Sequence, residues 1–172
     1  QGQEIALLRE PEEYSKKFRY NQRRELRLLE EQGGELLSFT ELPSTEQARI
    51  YSDLFEQRWG FATPGKERLA EVLELLRPYL VGSYICVNGQ PAAAQILYRV
   101  ESPEWISVEY INGGVDPQFN ELSPGSVLTW VNTQAECEHA RAQGKALRYS
   151  FGRADREYKD RWCHRVPVFE VK

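Results

Sequence analysis

Apolar positions recur at helical spacing through the first half of the chain and alternate or cluster at strand spacing through most of the second. Phe18, Leu26 and Leu29 mark the apolar edge of a helix predicted over residues 12–32, which Gly33–Gly34 stops. Glu35 to Leu42 reads as a short strand. Pro43-Ser44-Thr45-Glu46-Gln47 then opens a second helix, with Ser44 as the expected N-cap, Gln47 at the reciprocal capping position, and Ile50, Tyr51, Leu54 and Phe55 turned toward a core. A third helix is predicted from Lys66 to Arg77, burying Leu69, Val72, Leu73 and Leu76 and ended by Pro78.

Beyond Gly82 the period changes. Gly82–Val87 and Ala92–Val100 are apolar runs joined by Asn88-Gly89-Gln90-Pro91, and Asn-Gly between such runs is a strong hairpin signal. Trp105 to Ile111 gives a further strand, closing at Asn112-Gly113-Gly114. Ser123-Pro124-Gly125-Ser126 starts a long helix, Ser as N-cap and Pro in the first turn, that runs through Val127, Leu128, Val131 and Ala135 to Gly144. Leu147, Tyr149 and Phe151 alternate in another strand. A short helix from Ala154 sets Tyr158 and Trp162 one turn apart, and Val166–Val171 is a last strand. The pattern predicts one α+β domain over residues 1–172, helices first and then a mostly antiparallel sheet crossed by a helix.

Composition narrows the functional classes. The 172 residues are 41% hydrophobic and 28% charged, enough to bury a core, with no apolar run long enough to span a membrane. The net charge of −4 and the lack of a helix-turn-helix pair with a basic recognition helix argue against a DNA partner. Three scattered cysteines and two histidines make a poor metal inventory, so no metal is expected, and the odd cysteine count points to a reducing compartment. Adjacent Cys163 and His164 read as incidental, because sequence neighbours rarely face each other. The chain starts at Gln1 and has no Met, so it reads as the C-terminal part of a longer protein.

Three segments carry candidate chemistry. Lys16, Lys17, Arg19, Arg23, Arg24 and Arg27 concentrate positive charge on the first helix, either as a solvated face or as a patch for phosphates or an acidic membrane. The strand–loop–helix unit from Trp105 to Gly144 offers backbone amides and a helix N-terminus to an anion, or is a ligand-free turn. Phe151-Gly152-Arg153-Ala154-Asp155-Arg156-Glu157-Tyr158-Lys159 is dense in hydrogen-bonding side chains where a strand ends, as a charge network or a salt-bridged helix start.

The order of these parts resembles the GNAT acyltransferase fold and, within it, the branch of Fem-type peptidyltransferases. The motifs are Leu122-Ser123-Pro124-Gly125 at the long helix and Phe151-Gly152-Arg153 through Asp155, Tyr158, Lys159 and Trp162. Arg58-Trp59-Gly60-Phe61, Gly65-Lys66-Glu67-Arg68, Val108 to Asp116 and Asp160-Arg161-Trp162-Cys163-His164-Arg165 are similar, more narrowly, to the macrophage-inducible-gene-fourteen family of Gram-negative bacteria. That resemblance implies the cytoplasmic face of the inner membrane, resistance to cationic antimicrobial peptides, and acyl transfer from acyl-CoA to an amine-bearing acceptor. It puts the donor against Ile111, Asn112, Gly113, Ser123, Gly125, Ser126, Val127, Arg153 and Lys159, with Glu109 as candidate base and Tyr158 or Tyr149 as candidate acid. The usual GNAT pyrophosphate signature is replaced by Ser-Pro-Gly-Ser, and Pro124 removes one amide, which leaves aminoacyl-tRNA open as donor. The other reading is a non-catalytic GNAT-like module that meets a membrane or partner through its basic helix. Oligomeric state is open.

Overall fold

The computed structural model describes residues 3–169. Eight strands form one sheet: β1 (Glu4–Leu8), β2 (Gly34–Ser38), β3 (Leu80–Val81), β4 (Ser83–Val87), β5 (Gln90–Glu101), β6 (Trp105–Val115), β7 (Ala146–Arg153) and β8 (Cys163–Pro167). Their order is β2-β4-β5-β6-β7-β1-β8, with β3 on the flank of β5. All pairings are antiparallel except β6–β7, which the long helix between them forces to be parallel. The helices are α1 (Lys16–Glu31), α2 (Ser44–Trp59), α3 (Lys66–Leu75) and α4 (Pro124–Gln143). The fold is the GNAT-like α+β arrangement expected from the sequence.

Alternation along the strands assigns the helices to faces. On β4, Ile85 and Val87 pack with Leu29 of α1 and with Val127 and Leu128 of α4, whereas Tyr84 and Cys86 pack with Ile50 and Leu54 of α2. Thus α1 and α4 cover one face, and α2, with α3 behind it, covers the other. A polar seam ties α4 to β5: Gln95 Nε2 donates to Thr129 Oγ1 at 2.9 Å, Asn132 Nδ2 to Gln95 Oε1 at 3.1 Å, and Arg99 holds buried Glu136 through two bonds of 2.8 and 2.7 Å. Each buried polar group there has a partner, as burial requires.

Several element boundaries differ from the sequence expectation. β1 had no sequence signal strong enough to be predicted. The first helix starts at Lys16, not residue 12: Pro11–Glu13 form a separate 3-10 turn, and Ser15 caps α1 by accepting from the Phe18 amide at 3.0 Å. Pro43 rather than Ser44 is the N-cap of α2. The Ser44 hydroxyl instead donates to Glu74 at 2.7 Å, and buried Gln47 donates to the Phe39 carbonyl. α3 ends at Leu75, before a 3-10 turn over Arg77–Tyr79. β2 is shorter than expected because the chain turns at Phe39 into the core. The expected helix from Ala154 is a 3-10 turn, Glu157–Arg161, and the last strand is β8; residues 170–171 of the expected strand lie outside the described residues.

Two features of β6 were read wrongly as a strand end. Asn112-Gly113-Gly114 continue the strand to Val115, and these glycines serve a close approach. A Cβ on Gly114 would lie 2.7 Å from the Leu54 carbonyl carbon and the Phe55 nitrogen of α2. Helix backbone therefore rests directly on strand backbone. Gly114→Ala is expected to lower stability by about 1–3 kcal/mol through overpacking, measured by urea denaturation.

Candidate functional site

β6 and β7 pair from Trp105–Ala146 to Glu109–Ser150 and then part. Beyond that point β7 keeps β1 as its partner (Leu7 opposite Ser150, Ile5 opposite Arg153), while β6 stays on β5. The edge of β6 that faces β7 past Glu109 is left without a ladder partner. Ring edges fill the start of the gap: Tyr110 and Phe151 meet T-shaped with centroids 5.4 Å apart.

The β5–β6 register slips between Ile96–Asn112 and Leu97–Tyr110, so Ile111 is a bulge. Strict alternation would put Tyr110 and Gly113 on opposite faces; the extra residue brings them onto the α4 face together. A Cβ on Gly113 would sit 2.7 Å from the Tyr110 hydroxyl, so glycine makes room for the phenol. Burial raises the Tyr110 pKa, and Arg58 nearby opposes that rise, so the phenol stays protonated.

A cleft of about 220 Å³ occupies the gap and reaches both faces of the sheet. Arg58 of α2 lines one side; Gly125, Ser126, Leu128 and Thr129 of α4 line the other; Tyr110, Gly113, Tyr158, Arg161 and Trp162 close it. The α4 tip starts at Ser123, held at φ +49°, with no side chain capping it. Val127 donates to the Ser123 carbonyl, which leaves the Gly125 and Ser126 amides as the unpaired first-turn donors facing the cleft. The Ser126 hydroxyl turns aside to Gln22 of α1 at 3.3 Å.

Of the residues singled out from the sequence, Gly113, Gly125, Ser126 and Tyr158 are brought onto this cleft. The Asn112 side chain accepts from the Gly113 amide at 2.9 Å, Ile111 is an exposed bulge, and Val127 is core. Glu109 lies on the α2 face of β6, opposite Tyr98, with its carboxylate 3.9 Å from Arg148. Tyr149 is 2% exposed and packs in the core with Trp130 and Phe151, away from the cleft lining. Lys159 is 9% exposed and donates to the Arg153 carbonyl at 2.7 Å and to Asp155 at 3.0 Å, so it braces the turn after β7 rather than reaching the cleft. Residues the sequence reading missed are Arg58, Tyr110 and Arg161. Arg58 and Tyr110 are 52 positions apart in the chain, and no local spacing links them. Alternation alone puts Tyr110 on the face of Ile106 and Val108, but the bulge at Ile111 that brings Gly113 beside it has no sequence mark.

Cys163 and His164 point to opposite sides. The thiol is buried and pushed up to about 12 by desolvation, while the imidazole meets Glu13 at 2.7 Å on the surface. Cys137 is pushed up to about 11 and Cys86 is also raised, both by burial. Among the described residues no three His, Cys, Asp or Glu side chains gather as a metal site. Raised thiol pKa values mean that all three cysteines stay protonated at pH 8, and their stabilising contribution is lost only as pH climbs past the unfolded value of about 8.5. Ellman's reagent at pH 8 is expected to react slowly with the native protein and to count three thiols at once in denaturant.

The model of the Mig-14 family matches residues 1–171. No curated protein matches the chain. Among solved structures the chain is similar to the C-terminal domain of a protein named as a lysylphosphatidylglycerol synthetase from Agrobacterium fabrum, at 14% identity and TM-score 0.54, over 88% of this chain and 46% of that one. It therefore spans under half the length of that structure. It is also similar to an acetyltransferase from Trypanosoma brucei (14% identity, TM-score 0.52, 81% of this chain and 97% of that one). An aminoglycoside acetyltransferase from an uncultured soil metagenomic sample, solved with sisomicin, is similar at 16% identity and TM-score 0.50, over 81% and 94% of the two chains. These likenesses establish the fold.

Proposed function

Because the chain belongs to the Mig-14 family, we propose that its cleft transfers an acyl group to an amine acceptor, in support of bacterial resistance to cationic antimicrobial peptides at the cytoplasmic face of the inner membrane. The observation that carries this reading is the parting of β6 from β7 beside an uncapped helix tip. The residues fit an acyl-CoA donor. The free edge of β6 offers amides and carbonyls to an extended pantetheine arm, and the Gly125 and Ser126 amides suit its phosphates. Bound acyl-CoA would supply a thioester whose carbonyl carbon the amine attacks, so that an N–C bond forms, the C–S bond breaks and the thiol leaves.

The chain's own part is positioning and proton transfer. Glu109, half-exposed on the face that α2 shares and outside the cleft lining, is the base that takes the amine proton through an intervening water. Tyr158, exposed at the cleft rim, is the acid toward the leaving sulfur. Tyr149 is too deeply buried for that role. Calorimetric titration with acetyl-CoA is expected to give saturable binding. Glu109→Gln and Tyr158→Phe should keep that binding and lower turnover by about 10²–10⁴-fold. No heat with any acyl-CoA would overturn the CoA donor and leave aminoacyl-tRNA.

A second surface favours membrane docking, with or without catalysis. On α1, Lys16, Lys17, Arg23, Arg24 and Arg27 are exposed and Arg19 partly so, and none has an ion-pair partner among the described residues. Tyr20 (55% exposed) and Leu28 (40%) are interleaved with them on the same side. A cationic face with apolar side chains among its charges suits an anionic lipid surface. No helix among the described residues is long and apolar enough to cross a membrane. Vesicles of phosphatidylcholine with phosphatidylglycerol are expected to bind the protein and to release it as salt rises. Replacing Lys16, Arg23 and Arg27 with Gln should weaken binding on the order of a hundredfold, at about 1 kcal/mol per cation. Equal binding to neutral vesicles would overturn this surface.

A further inference from the structure

The charge inside the cleft is one-sided. Its ionic lining consists of Arg58 and Arg161, with no aspartate, glutamate or histidine among the lining side chains. Arg58 is held in place: its guanidinium carbon stands 4.6 Å from the Trp59 ring centroid, and its Nη1 donates to the Gly113 carbonyl at 3.3 Å. Arg156 stacks on the same indole at 5.1 Å. None of the three has a salt-bridge partner among the described residues, whereas Arg49, Arg77, Arg99, Arg148 and Arg165 all do. On the turn that carries Arg161, Asp160 is bonded to Arg165 and Glu157 is exposed outside the cleft lining. Asp155 just before it is bonded to Lys159, and Glu109 stands 3.9 Å from Arg148.

Arg58 comes from α2, across the sheet from the α4 amides that suit the donor's phosphates. The two anion-binding features therefore lie on opposite sides of the gap. A polycationic acceptor would bring like charge against unpaired guanidiniums. An acceptor with an anionic group would be held by them, bidentately where the anion is a phosphate or carboxylate. The same guanidiniums depress the pKa of an amine beside them, so more of it is the neutral form that can attack.

We propose that the acceptor is an anion-bearing amine, a zwitterion of the phosphoethanolamine kind, whose anion Arg58 and Arg161 hold. The proposal rests on the acyl-transfer reading of the cleft, but its binding test needs no acyl donor. Phosphoethanolamine, ethanolamine, inorganic phosphate and spermidine are titrated separately into the protein, with chemical shifts of the backbone amides as readout. Phosphoethanolamine is expected to bind at least tenfold tighter than each of the other three and to shift the amides near Gly113 and Tyr158. Arg161→Gln, on an exposed turn, and Arg58→Gln should each weaken it at least tenfold, and Arg58→Lys less so; thermal melts check that each variant is folded.

Spermidine binding as tightly, or folded variants binding phosphoethanolamine unchanged, would overturn the proposal. So would inorganic phosphate binding equally well, since the amine would then contribute nothing. Acetyl-CoA is titrated into the same samples. Acetyl-CoA binding without a zwitterion preference sinks this proposal alone; zwitterion binding without acyl-CoA or acyl transfer sinks the transferase reading alone. Phosphatidylcholine vesicles with and without phosphatidylethanolamine identify the source. Recruitment only by the latter points to a lipid headgroup, and binding of the soluble compound alone points to a free metabolite.

Discussion

The structure turns on one divergence: two parallel strands, paired for five residues, each continue with a different neighbour. β7 is claimed by β1 and β6 by β5, so neither can close the gap without giving up an antiparallel ladder. Buried backbone groups need partners, and past Glu109 the inner edge of β6 meets no strand. Asn112 accepts from the Gly113 amide, Arg58 donates to the Gly113 carbonyl, and what is left of the edge is open to solvent or a ligand. The gap is thus a consequence of topology, kept open by the Tyr110–Phe151 ring contact and roofed by α4.

Packing then fixes what faces that gap. The bulge at Ile111 turns Tyr110 and Gly113 to one side, Gly114 lets α2 settle on the strand, and the settled helix delivers Arg58 from the opposite face. The seam from Gln95 to Glu136 anchors α4 so that its first turn meets the same cleft. Charge follows a complementary geography. Five arginines (Arg49, Arg77, Arg99, Arg148 and Arg165) are ion-paired among the described residues. Six cations without such a partner sit on α1, Arg58 and Arg161 line the cleft without one, and Arg156 stacks beside Arg58 on Trp59, in a chain whose net charge is negative. Those two clusters of unpaired cations are suited to meet anions.

Much of this was legible in the residues. Asn88-Gly89 gave the β4–β5 hairpin because both positions adopt positive φ (50° and 82°), which few other pairs tolerate. The periodicity of Ile50, Tyr51, Leu54 and Phe55 gave α2, and Ser-Pro-Gly-Ser gave the start of α4. β1 was not legible: its five residues gain stability only from β7 and β8, which lie more than 140 residues away. The glycines at 113 and 114 were misread for a related reason. A local reading takes paired glycines as a stop, but here they answer to a helix and a phenol contributed by distant segments and a bulge.

The sequence by itself determined most of the helices and strands, though not β1 or the turn over Glu157–Arg161, together with the mostly antiparallel sheet, the cationic face of α1 and the helix tip suited to an anion. These depend on neighbours within a turn or a pleat, where propensity and period act directly. Only the tertiary structure decided which charges are paired, that Tyr149 and Lys159 are spent on the core and on a turn, and that Arg58, Tyr110 and Arg161 share a cleft. Those outcomes depend on strand partners, register and a one-residue bulge, whose energies arise between segments far apart in the chain and leave no mark on any one of them.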